Sequence, residues 1–177
     1  MSVLVLKNGV LYSPDPLGTK GIVVINGKIE RIDEDICVDA CAGIFHEQQI
    51  VDLKDNVVVP GFIDQHVHCN GAGGEGGPQY RTPPVATAEL IRAGVTTVVG
   101  LLGVDSVGRS LQDLLMKVRA MEAEGITTWM LTGAYRVPSP TITESVLSDI
   151  QLIDKIIGVK VALADHRSSH PSLEELT

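Results

Sequence analysis

His66 and His68 end an apolar run that starts at Val57, and a glycine-rich stretch, 71–77, follows at once. Alternate residues of a strand share a face, roughly 6.5 Å apart. Both imidazoles can therefore converge on one metal ion at about 2.0–2.1 Å. An isolated His-x-His more often binds no metal, so position has to decide. If 57–68 is the first strand of a parallel α/β barrel, the pair falls at its carboxyl end, where such barrels keep their catalytic groups.

Lys160 stands inside the apolar run 156–164. Burying an ammonium ion is costly unless it is paired or neutralised. One reading is a lysine that snorkels from the strand end to water. The other is an amine kept neutral by a depressed pKa, which captures carbon dioxide and becomes an anionic carbamate able to bridge two metals.

The stretch 71–77 contains a literal G-x-G-x-x-G in Gly71, Gly73 and Gly76. A dinucleotide site needs a helix to begin there with its amino end facing pyrophosphate. Here Pro78 to Pro83 reads as loop, and Glu75 would oppose a phosphate. The glycines are better suited to letting backbone amides approach a small ligand. Glu75, Tyr135 and Arg167 each have an ordinary reading, as a solvated acid, a core aromatic and a surface cation. Jointly they follow three different strands of the expected barrel, which is where substrate groups belong.

These residues need a scaffold, and the hydropathy pattern supplies one. Residues 1–55 have short apolar segments punctuated by Asn8-Gly9 and Asn26-Gly27, dipeptides of tight hairpin turns. They read as a small antiparallel β domain. From 56 to 177 the pattern is strand, loop, amphipathic helix, strand. Thr82-Pro83-Pro84 is expected to open a helix that Gly94 closes. Strands are expected over 96–103, 126–135 and 156–164, the last covered on both faces. Ser110 caps a helix with Leu111, Leu114, Leu115, Val118 and Met121 on one side, ending at Gly125. Thr141-x-x-Glu144 has the form of a capping box ahead of an apolar stripe of Val146, Leu147, Ile150 and Ile153. A fourth helix is expected near Pro171. Four β-α units imply a parallel sheet with crossover helices.

The 177 residues carry 14 basic and 22 acidic side chains, a net charge of −8. The basic residues are scattered, which argues against a nucleic-acid surface. There is no signal-peptide pattern and no apolar stretch approaching the roughly 18–20 residues of a membrane span, so the expectation is a cytoplasmic protein without a membrane partner. Cys37, Cys41 and Cys69 are an odd set without a secretion signal, and a disulfide framework is not expected. Cys37 and Cys41 read as small core residues rather than a metal pair.

The segment 60–68, Pro-Gly-Phe-Ile-Asp-Gln-His-Val-His, resembles the opening strand of the amidohydrolase superfamily. Leu131-Thr132-Gly133-Ala134-Tyr135 and the stretch from Gly158 to Ser168 are similar specifically to the isoaspartyl dipeptidases (β-aspartyl peptidases), and the likeness runs through essentially the whole chain. It implies a metal-dependent peptidase that cleaves dipeptides joined through the aspartate side chain, on the amino-terminal half of a (β/α)8 barrel preceded by a small β-sandwich. By that likeness His66 and His68 bind the first of two zinc ions, carbamylated Lys160 bridges the pair, and a metal-bridging hydroxide attacks the amide. Glu75 holds the substrate's α-ammonium, Tyr135 polarises the scissile carbonyl, Arg167 pairs with a carboxylate and Gly73 offers backbone contact. Where the family often has a threonine after the second strand, this chain has Val104, so no hydroxyl contact is expected there.

The resemblance also implies two histidines and an aspartate after later strands, the aspartate as general base and acid. A complete barrel takes about 250 residues, and four β-α units ending at Thr177 leave these ligands no place. The expectation is therefore the amino-terminal part of an enzyme, inactive alone and a homo-oligomer when complete. The rival readings are another amidohydrolase, such as a dihydroorotase-like cyclic amide hydrolase, and a non-catalytic amidohydrolase-like assembly module.

Overall fold

The computed structural model describes residues 2–34, 36 and 48–176. Cys37 and Cys41 lie outside them. The chain divides into two compact units, Met1–Pro60 and Gly61–Thr177.

The first unit is a sheet of β1 (Val3–Tyr12), β2 (Pro16–Ile25), β3 (Lys28–Asp33), β4 (Gln48–Asp52) and the short β5 (Val57–Val58). The order is β3-β2-β1-β4, with β5 also paired to β1. Asn26 and Gly27 take φ of 48° and 78° and close the tight β2–β3 hairpin. The sheet is not wholly antiparallel as expected: β4 and β5 run parallel to β1. Both follow β1 through longer connections, which parallel pairing requires and a tight turn cannot provide. Asn8-Gly9 makes no hairpin either. Asn8, at φ 55°, sits inside β1 where the register with β2 shifts between Leu6 and Gly9. Its side-chain Nδ2 donates to Asp52 Oδ1 at 3.0 Å. The positive backbone angle serves a bulge in place of a turn. Val3, Val5 and Val23 form the buried centre of this unit, with Ile25 and Ile36 against them.

The second unit is a four-stranded parallel sheet in the order β6-β7-β8-β9, built from β6 (Phe62–Val67), β7 (Val95–Gly100), β8 (Thr127–Gly133) and β9 (Ile156–Lys160). Helices α1 (Thr87–Arg92), α2 (Leu111–Ala123) and α3 (Val146–Leu152) lie in the three connections. The expected strand 57–68 is divided: 57–58 belongs to the first sheet, and β6 starts beyond Pro60-Gly61. Proline lacks the N–H that a ladder needs.

Leu111, Leu114, Val118 and Met121 of α2 are buried in a core with Val67, Val98, Met130 and Ile156 from all four strands. The Ser110 side chain accepts from the Asp113 amide as the N-cap, and Gly125 beyond the helix has φ 110°. The α1 helix starts later than its prolines suggest, at Thr87 after the extended Ala86. A residue before proline is pushed away from helical angles, so Pro83 and Pro84 prolong the loop. The capping box is also displaced. It joins Ser145 and Ser148, while Thr141 and Glu144 lie in the preceding loop. The expected apolar stripe of α3 is largely exposed, at Leu147 and Ile150, and its buried member is Asp149. In β9 Ile156 is buried but Ile157 and Val159 are exposed. The register between β8 and β9 shifts after the Met130–Ile156 pair, so the strand is not covered evenly on both faces. Near Pro171 the structure has a short 3-10 turn, Glu174–Leu176, in place of a helix. Among the described residues no helix is long and apolar enough to cross a membrane.

Candidate active site

His66 lies on β6 and His68 one residue past its end. Their rings meet edge to face, with centroids 5.3 Å apart and planes at 89°. His68 Nδ1 lies 3.1 Å from the carbonyl oxygen of Leu101. A carbonyl can only accept, so Nδ1 carries a proton, and in the neutral imidazole the lone pair is left on Nε2. Metal-ligating histidines are commonly oriented in this way. His66 is exposed and its amide donates to Asp64 Oδ1 at 3.0 Å. Burial, then the nearby Lys160 ammonium and His68, push the His66 imidazole below its ordinary pKa, with Asp64 opposing.

Lys160 is the last residue of β9 and is half-buried. Its Nζ stands 5.2 Å from the centre of the Tyr135 ring, and the Arg167 guanidinium carbon is also 5.2 Å from that ring. Tyr135 follows β8 by two residues. Gly133 bends the chain there with φ 79°, and a Cβ on it would come within 2.4 Å of the Lys160 carbonyl oxygen. Glycine at this position lets the ends of β8 and β9 close together.

Arg167 gathers the remaining groups. It donates through Nη1 to Glu75 Oε1 at 2.8 Å, and through Nη2 to the Tyr135 hydroxyl oxygen at 3.4 Å. Asp165 grips it from the other side, accepting from Nε at 2.8 Å and from Nη2 at 2.7 Å. These hydrogen bonds hold the Asp165 carboxyl well below the usual carboxylate range and push the guanidinium up. Gly73 lies two residues before Glu75 and bridges to Arg81. With φ 79°, a Cβ there would meet the Tyr80 carbonyl oxygen at 2.4 Å. A cavity of about 600 Å³ opens between Glu75, Arg81, Val104, Ser106, Val107 and Arg167.

Tyr135 thus lies against both Lys160 and Arg167, and Arg167 in turn pairs with Glu75. Sequence reasoning missed two contributors. Asp165 could have been found from its Asp-x-Arg spacing, but the Leu101 carbonyl carries no side-chain signature. Among the described residues no three His, Cys, Asp or Glu side chains cluster so as to hold a metal ion. Two histidines with one oriented Nε2 do fit a divalent cation as part of a larger donor set. A protonated Lys160 would repel that ion, whereas its carbamate would bind it. Cys69 is no candidate, since burial pushes its thiol up to about 11.

No family model matches the chain. The β-aspartyl dipeptidase of Fervidobacterium islandicum AW-1 is similar at 43% identity, with a TM-score of 0.88 over 98% of this chain and 47% of that one. The same enzyme in complex with the β-Asp-Leu dipeptide gives 44% identity, again with a TM-score of 0.88, over 98% and 45% of the two chains. A dihydroorotase of Listeria monocytogenes is 32% identical over 152 residues, 85% of this chain and 31% of that protein. The chain therefore spans about half the length of the dipeptidases and about a third of this dihydroorotase. Its α/β architecture is that of the amino-terminal part of these enzymes. The chain is similar to the amino-terminal part of the β-aspartyl dipeptidases, in agreement with the resemblance to the amidohydrolase superfamily.

Proposed function

We propose that the protein hydrolyses dipeptides linked through the aspartate side chain, with His66, His68 and Lys160 as metal ligands and Gly73, Glu75, Tyr135 and Arg167 facing the substrate. The observation that carries this reading is the Glu75–Arg167 ion pair beside Tyr135, at 2.8 Å. A β-aspartyl dipeptide has a free ammonium and a carboxylate next to its side-chain amide. Such a zwitterion can replace the internal pair, its ammonium donating to Glu75 and its carboxylate accepting from Arg167. Asp165 keeps Arg167 in place during the exchange, because it grips the opposite edge of the guanidinium. The scissile carbonyl then faces the Tyr135 hydroxyl, which donates a hydrogen bond as negative charge grows on that oxygen. The Gly73 backbone, without a side chain, leaves room for the substrate to approach.

Two divalent ions, zinc as the resemblance implies, would be held in part by His66, His68 and a carbamate on Lys160. When bound, such ions supply a water activated near neutral pH and polarise the carbonyl. Carbamylation also removes the ammonium that otherwise opposes a cation beside His66.

The test is a substrate panel with metal analysis on the full-length protein. β-Asp-Leu should turn over with stoichiometric metal, and α-Asp-Leu should be far poorer. Glu75→Gln should lower kcat/KM for β-Asp-Leu roughly thirtyfold or more, about 2 kcal/mol, the low end for removing one partner of a charge pair. Equal hydrolysis of the two isomers would sink the specificity. The second reading, a cyclic amide hydrolase, is favoured by the dihydroorotase relatives. Turnover of dihydroorotate that survives Glu75→Gln would replace the first reading with this one.

A further inference from the structure

The loop that carries Glu75 is pinned to a second loop by two arginines that share one carboxylate. Its two ends, Ala72 and Thr82, are joined by the Thr82 amide donating to the Ala72 carbonyl at 2.8 Å and the Ala72 amide to Thr82 Oγ1 at 2.8 Å. Arg109, from the turn ahead of α2, spans this base. It donates through Nη1 to the Asn70 carbonyl and through Nη2 to the Thr82 carbonyl at 2.6 Å. The Arg109 side chain is 10% exposed. Its Nε is buried without a hydrogen bond, and its counter-charge is Asp105 Oδ2 at 3.8 Å. The same oxygen receives Arg81 Nη2 at 3.0 Å. Arg81 also donates to the Gly108 carbonyl at 3.2 Å, and the Gly108 amide donates to Asp105 Oδ1 at 2.7 Å. Asp105 therefore neutralises a buried guanidinium, folds its own turn and holds the arginine that pairs with Gly73 across the loop.

We infer that Asp105 is a positioning residue for Glu75. Through Arg81 and Arg109 it fixes the loop at both ends, and so sets where the Glu75 carboxylate stands relative to Arg167. Asp105, Arg81, Glu75 and Arg167 all line one cavity, whereas a brace serving stability alone would have no reason to face it. This inference rests on the proposed role of Glu75 and Arg167 as substrate anchors. A carboxylate that wanders reads an ammonium poorly, and a displacement of about 1 Å in a substrate-positioning group can cost up to a hundredfold.

The experiment compares Asp105→Asn with the wild type in the full-length protein. For β-Asp-Leu, KM should rise roughly tenfold with kcat little changed, and the preference for β- over α-aspartyl substrates should shrink. Amide hydrogen exchange should accelerate across 71–82, while metal content stays the same. Asp105→Glu, which keeps the charge, should recover part of the KM. If Asp105→Asn folds poorly, Arg81→Gln leaves the buried Arg109 paired and carries the same measurements. Unchanged exchange at 71–82 would overturn the positioning role whatever the substrate. Faster exchange with unaltered KM and selectivity would overturn its link to Glu75. A wild type inactive on β-Asp-Leu would instead overturn the proposed function, with the exchange measurement still deciding the brace.

Discussion

Two loops bring the proposed substrate-facing groups to the candidate site, and they are held by opposite charges. In the Glu75 loop the exposed ends of the turn are carbonyls, and the Arg109 guanidinium donates to those of Asn70 and Thr82. In the loop after β8, which carries Tyr135, the unpaired groups are amides and hydroxyls. Asp149 accepts from the Ile142 amide at 3.0 Å, the Thr143 amide at 2.7 Å, the Thr143 hydroxyl at 2.7 Å and the Thr132 hydroxyl. Both solutions satisfy backbone that folding removes from water. They differ in what can undo them. A guanidinium keeps its proton at every workable pH, whereas a carboxylate loses its charge in acid.

The largest effect should come from removing the acidic clamp. Asp149 is fully buried, and Asp149→Ala would strand two amides and leave a cavity. At about 1–3 kcal/mol for each unsatisfied buried group, the loss should be on the order of 3–5 kcal/mol, comparable to breaking a buried charged network. Urea unfolding of the purified variant measures it. A loss below about 1 kcal/mol would mean that the Tyr135 loop is held by something other than Asp149.

Acid should sharpen the contrast with a smaller change. Burial alone would raise the Asp149 pKa, but the hydrogen bonds from Thr132, Thr143 and Ile142 outweigh it, and the folded value lies below the ordinary 3.8. Between the folded value and 3.8 the unfolded chain binds more protons. The contribution of this carboxylate is therefore complete above 3.8 and disappears as pH falls through the folded value. Asp149→Asn should flatten the acid limb of a stability-against-pH curve without levelling it, because Asp165 in the same unit is depressed as well. An acid limb as steep as that of the wild type would assign the proton uptake elsewhere.

The two loops also differ in how legible they were. Much of the frame could be read from local signals. Asn26-Gly27 makes its hairpin, Ser110 caps α2, and the spacing of Leu111, Leu114, Val118 and Met121 names the face that is buried. These features depend on neighbours a few residues away. The candidate site residues were proposed through a resemblance over long motifs, and the convergence of Glu75, Tyr135 and Arg167 is a geometric result that no spacing contains. The clamps escaped notice because their partners are distant backbone atoms. Asp149 sits at a helical position that hydropathy assigns to solvent, yet it is the buried member of α3 because amides from 142–143 reach it. Asn8-Gly9 misled for a related reason: a positive φ suits a bulge as well as a turn, and only the pairing of β1 with β2 selects between them.

The smallest expected effects concern the helices behind the two loops, and they test whether the loops are held by their clamps or by the helices. Ser110 caps α2 beyond the arginine turn, and Ser145 caps α3 beyond the Tyr135 loop through reciprocal bonds with Ser148. Ser110→Ala and Ser145→Ala should each cost about 1 kcal/mol of stability, as loss of an N-cap usually does. Neither serine touches Glu75, Tyr135 or Arg167. If Arg109 with Asp105, and Asp149, are what place those residues, both variants should keep the wild-type KM and kcat at temperatures well below unfolding. Denaturant midpoints and steady-state kinetics on the same preparations measure the two quantities side by side. A rise in KM for Ser110→Ala as large as that of Asp105→Asn would show that the α2 terminus, and not the shared carboxylate, fixes the glycine-rich loop.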